Sequence, residues 1–141
     1  MLIKIGRRLF VKELLIHVAA IIVAVVSSGI AIFQVLLFLG FPLAEYSWGG
    51  KYQGVLPKKM RMMSLTSALL LLFFGFIFLL YSKILTVSFY LPTNILVIII
   101  TIFMGLNTLG NLASKSNKEK LIMTPLAGIT FLSCLLVVIF A

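Results

Sequence analysis

Gly40-Phe41-Pro42-Leu43-Ala44-Glu45-Tyr46-Ser47-Trp48-Gly49-Gly50-Lys51-Tyr52-Gln53-Gly54-Val55-Leu56-Pro57-Lys58-Lys59-Met60-Arg61 lies between two long apolar runs and belongs to neither. It holds two of the four prolines, four of the ten glycines, the single tryptophan and one of the three carboxylates. Pro42 discourages helix at Phe41 and limits continuation of the run before it. Gly49-Gly50 permits positive φ and a tight turn. Tyr46 and Trp48 suit a headgroup region, where a ring has an apolar body and a polar edge. A polar stretch of this kind between runs long enough to cross a bilayer predicts a polytopic membrane protein.

The composition agrees. Of 141 residues, 62% are hydrophobic, against ~45–50% in a soluble domain, and the mean hydropathy is +1.25. Twelve Lys and Arg against three acids give a formal charge of +9. The basic residues sit in short clusters beside apolar runs, which favours anionic lipid headgroups over nucleic acid as their partner. The single cysteine, Cys134, excludes an internal disulfide, a CxxC pair and a thiolate zinc site, and reads as a small buried hydrophobe.

Outward from the central stretch, a hydrocarbon core of ~30 Å asks for ~20 apolar residues per span. The runs that meet this are about 15–39, 62–81, 91–112 and 121–140. Residues 1–13 alternate apolar with Lys4, Arg7, Arg8 and Lys12 and read as an interfacial amphipathic segment leading into the membrane. Ser27-Ser28-Gly29 is a small-residue run that would admit a neighbouring helix closely. Pro92 starts or kinks the third span, and Ser116 with Glu119 fits a capping box for the fourth. The expected fold is all-α: one transmembrane domain, a four-transmembrane-helix bundle.

Four spans put the first and third loops on one side of the membrane. Lys51, Lys58, Lys59, Arg61, Lys115, Lys118 and Lys120 lie there, against Lys4, Arg7, Arg8, Lys12 and Lys83 on the other. The positive-inside rule then places both polar loops in the cytoplasm. The same topology gathers the polar residues at that end. Gln34, Glu45, Trp48, Arg61, Asn107 and Asn111 are the candidate ligand or partner residues, with Ser64, Ser116, Glu119 and Thr124 near them. Polar groups at membrane depth are costly without partners and mark sites by default; Gln and Asn also serve as interhelical glue. Two further expectations follow. The stretch 40–57 folds back on the bundle with Trp48 mostly buried, and Glu45 meets Arg61 or the amides of Asn107 and Asn111. His17, at the opposite end, reads as an interfacial hydrogen-bonder, because no metal-binding partner lies at i+3 or i+4.

Gly40, Pro42, Glu45, Trp48, Gly49, Gly50, Leu56, Pro57, Arg61 and Ser64, followed by Asn111, Ser114, Ser116, Glu119, Thr124 and Pro125, resemble the loop motifs of small four-helix bacterial membrane proteins of no assigned function. The resemblance covers both loops and their helix ends. Ala44 departs from it, standing where that pattern has glycine. What it implies is a bacterial plasma membrane, and it carries no activity.

Three function classes follow. The first is an accessory or interaction module that binds a partner protein, a second copy of itself or anionic lipid. The second is an oligomeric small-molecule or ion transporter or channel using the polar cluster around Glu45. The third, a membrane enzyme, ranks last: no HExxH, GxSxG, Walker loop or paired intramembrane carboxylate is present. No cofactor, metal or nucleic-acid site is expected.

Overall fold

The computed structural model describes all 141 residues. It is all helical: α1 (Leu2–Leu39), α2 (Lys58–Tyr81), α3 (Thr93–Leu112) and α4 (Asn117–Phe140), with two short 3₁₀ turns, Ala44–Tyr46 and Trp48–Gly50, in the first loop. All four helices are long and apolar enough to cross a membrane. The protein is a multi-pass four-helix membrane bundle.

Each boundary has a local cause. Gly40 ends α1 by adopting φ 96° and ψ 18°. Its N–H donates to Leu37 O, and that of Phe41 donates to Leu36 O, both at 3.1 Å. This is the paired closure that a left-handed residue makes at a helix C-terminus. Pro42 lies beyond the end already set by Gly40. Pro57 and Pro92 immediately precede α2 and α3, where a fixed φ and a missing N–H cost least. Ser116 caps α4, its hydroxyl accepting from Glu119 N–H at 3.4 Å; the reciprocal half of the expected capping box is not made, because Ser116 N–H donates to Ser114 Oγ instead. The helix continues through Pro125 without ending.

α1 begins at Leu2, so the basic segment 1–13 is the first part of the same continuous helix. Its 38 residues reach about 57 Å, well beyond a ~30 Å hydrocarbon core. The first fourteen residues are exposed on every face. Packing starts at Ile16 and His17.

α1 packs chiefly on α2 and α3 on α4; these two hairpins join through α1–α4, with α2–α3 the thinnest seam. Buried Ala19, Ala20, Val23, Ser27 and Ala31 make one small-residue stripe on α1. Opposite it, a Cβ on Gly75 would come within 3.0 Å of Ala24 Cα. Small residues let backbones approach and gain dispersion contacts where lipid offers no hydrophobic drive. The expected approach at Ser27-Ser28-Gly29 is therefore corrected in part. Ser27 is buried, but a Cβ on Gly29 would meet no neighbouring helix within 4 Å. Only 28 of 141 residues are buried, and Leu69, Leu70, Leu72 and Phe73 are all exposed on α2. Such a surface is stable against lipid and not against water.

Candidate functional site

At the end of the bundle where α1 and α3 finish, the two polar loops lock together. The first loop folds back, as expected, around a small core of Leu37, Ala44 and Leu56. Ala44 N–H donates to Gly54 O at 3.0 Å and closes the loop on itself.

The Trp48-Gly49-Gly50 turn then reaches across to the third loop. All three residues have positive φ, at 55°, 73° and 71°. A bulky residue there is strained by about 1–3 kcal/mol, and the surroundings hold it. Trp48 Nε1–H donates to the buried Ser64 hydroxyl at 3.1 Å. Lys115 N–H donates to Gly49 O at 3.1 Å, while Gly49 N–H donates to Glu119 Oε1 at 3.4 Å. Gly50 passes so close to the third loop that a Cβ on it would stand 2.6 Å from Ser116 N.

Glu119 is the hinge of this junction. Its side chain is 4% exposed, and it has no Lys or Arg partner. Ser114 Oγ–H donates to its Oε2, and the Ser114 oxygen in turn accepts from Ser116 N–H at 3.1 Å. The carboxylate also sits in the first turn of α4, where the helix dipole favours negative charge. Asn111 adds a longer contact, Nδ2–H to Met123 O at 3.4 Å. Asn111, Ser114, Ser116 and Glu119 thus all bond at one joint.

A cavity of about 450 Å³ opens beside this joint. Gln34, Trp48, Asn107 and Asn111, four of the six candidate residues, line it together with Glu119. Gln34 Oε1 is buried there without a hydrogen-bond partner. Phe33, Phe74 and Phe103 form much of the apolar wall, with Phe74 and Phe103 edge to face at 5.4 Å. Leu70 of α2 and Phe103 of α3 are 45% and 47% exposed, so the mouth faces sideways along the thin α2–α3 seam.

The other two candidates lie elsewhere. Arg61 caps α1: its Nε–H donates to Phe38 O at 2.8 Å and its guanidinium covers Gly40. A cation suits the negative end of a helix. Glu45 pairs with Lys118 Nζ at 2.5 Å on the exposed surface, not with Arg61, Asn107 or Asn111. The short 3₁₀ turn carrying Glu45 directs it outward, because buried Ala44 and Ser47 on either side of it take the inward positions. Trp48 is mostly buried, as expected, and packs against the Leu37, Ala44 and Leu56 core. Glu119 was the residue to add; its signal was its place as the lone acid of the second half, three residues after a serine.

No histidine, cysteine or acid cluster able to hold a metal is present. At the far end His17 Nε2 lies 3.0 Å from Ser82 O. Compared with protein-family models, curated proteins and solved structures, the chain has no match.

Proposed function

We propose that this protein is a membrane accessory module of a bacterial plasma membrane whose interlocked loop face binds anionic lipid headgroups. The carrying observation is charge without compensation. Lys51, Lys58, Lys59 and Lys115 are exposed on the loop face, and the one ion pair in the molecule, Glu45–Lys118, engages none of them. Lys51 and Lys115 stand on loops tied to each other, and Lys58 and Lys59 begin α2, so a headgroup meets a fixed array. Each basic residue near an anionic surface contributes ~1 kcal/mol. The bacterial assignment rests on the loop motifs. A second copy of the chain or another membrane protein is the other kind of partner this reading admits, through the apolar outer faces. Catalysis forms no part of it.

The test is lipid retention. Purified protein in nanodiscs of anionic or zwitterionic lipid is heated, and co-purifying lipid is counted by native mass spectrometry. Anionic lipid should raise the melting temperature and remain bound. Changing all four lysines to glutamine should abolish the difference. Equal behaviour in both lipids would defeat the proposal.

The cavity favours a second reading, a ligand site inside the bundle, as in a small carrier or sensor. An orphaned amide oxygen and a buried carboxylate beside an apolar space are what binding sites are made of. Its first test is whether any small molecule saturably perturbs Trp48 fluorescence, since Trp48 is the single tryptophan and lines the cavity.

A further inference from the structure

We infer that the cavity selects a hydrophobic organic cation, taken up sideways from the bilayer. This rests on the second reading above, that the cavity holds a ligand, and adds the class of ligand.

Charge comes first. Glu119 carries the cavity's one formal charge; no Lys, Arg or His lines it. In a molecule of net charge +9, this is a local reversal of sign. The two hydrogen bonds to Glu119 and the start of α4 support the negative charge, yet no cation of the protein neutralises it. A buried charge of this kind favours whatever brings the opposite sign.

The walls supply the second argument. Tyr46 and Trp48 from the loop, with Phe33, Phe74 and Phe103 from three helices, surround the space. Aromatic faces attract cations, most strongly where water is scarce. They also reward an apolar body. Gln34 Oε1, unpartnered and buried, offers a further acceptor.

Access is the third. The mouth lies between α2 and α3, flanked by exposed Leu70 and Phe103 and by exposed Asn107. A ligand already dissolved in the bilayer reaches it without crossing the loop face and its lysines.

The experiment uses two ions of one shape and opposite sign, tetraphenylphosphonium and tetraphenylborate, titrated against the full chain in detergent micelles with Trp48 emission as the readout. The positive protein surface by itself favours the borate, so the comparison is stringent. Saturable quenching by the phosphonium, at least tenfold tighter than by the borate, is expected. Glu119→Gln keeps an acceptor for Gly49 and should weaken the phosphonium at least tenfold. Phe103→Ala, at a half-exposed wall position that folding tolerates, should weaken it severalfold. If both ions saturate equally, the cavity binds ligands but the cation class is wrong. If neither saturates on the wild-type protein, the ligand-site reading falls with it.

Discussion

The two ends of this bundle are built on different principles. At the loop end, residues 40–57 and 113–116 are joined to each other and to the helix ends by hydrogen bonds that Trp48, Gly49, Arg61, Ser114 and Lys115 donate, two of them to the Glu119 carboxylate. At the other end the connection from α2 to α3 makes its own turn, with Lys83 at φ 61°. Its one side-chain tie to another helix is His17 to Ser82 O. Leu85, Phe89 and Tyr90 stand exposed, Tyr90 at 89%. The first end carries its fixing forces within the protein. The second relies on the bilayer, whose interface takes up apolar and aromatic residues. A lock of this kind is what a shaped site requires, since a cavity wall that moves loses its geometry.

The largest effect should come from Gly50→Ala. The new Cβ would stand 2.6 Å from Ser116 N and 2.7 Å from Ser116 Cβ, at φ 71°. The clash is with backbone and cannot be relieved by a rotamer change. Strain and overlap together should cost about 2–4 kcal/mol, seen as a large fall in thermal midpoint by circular dichroism in micelles. A midpoint within a degree of wild type would mean that the two loops are not locked.

Arg61→Gln comes next. It withdraws a charged donor from Phe38 O and uncovers Gly40. Hydrogen bonds to charged groups contribute about 1.5–3 kcal/mol, and partial access to water at this half-exposed position puts the loss near the lower figure. Urea unfolding monitored by Trp48 emission would measure it. A change confined to lipid binding would assign Arg61 to the headgroup array and not to the cap.

His17→Phe probes the opposite end. One hydrogen bond disappears and Ser82 O loses its side-chain partner, so about 0.5–1.5 kcal/mol is expected. The bilayer should shrink even this. Measured in nanodiscs and in micelles, the loss should be smaller in nanodiscs, whereas the Gly50→Ala loss should be the same in both. Equal losses for His17→Phe in the two media would erase the distinction between the ends.

The helices and their order were legible because apolar runs of spanning length leave few alternatives. The folding-back of 40–57 was legible too, since Leu43 and Leu56 had no reason to face water. Four cavity residues could be named because antiparallel spans must bring the end of α1 and the end of α3 to one membrane side. What could not be read was direction within that end. Whether Glu45 turned inward depended on a single 3₁₀ turn, and burial of Ala44 and Ser47 beside it decided the matter. Glu119 looked like an ordinary cap residue because its second role needs Gly49, seventy residues away in the chain. The aromatic wall was invisible for a simpler reason: Phe33, Phe74 and Phe103 resemble every other apolar residue in their helices until the helices are rotated against one another.

Glu45→Gln should have the smallest effect, and it sharpens the comparison most. The pair with Lys118 is close, at 2.5 Å, but the two side chains are 58% and 37% exposed for Lys118 and Glu45. Tyr46 lies under the same ammonium, 5.7 Å from its ring centroid. An exposed pair gains little from Coulomb attraction in water, pays entropy to hold two side chains, and is screened by salt. The loop is already fixed by bonds that Glu45 does not make. The midpoint should therefore stay within experimental scatter of wild type, at low salt and at high salt alike. Loss of a carboxylate from the lysine-rich face should at the same time leave anionic-lipid retention unchanged or slightly stronger. A fall of several degrees at low salt that vanishes at high salt would place the pair in a poorly hydrated layer. The loop face would then depend on its membrane surroundings as the far end does, and the contrast between the two ends would be one of degree.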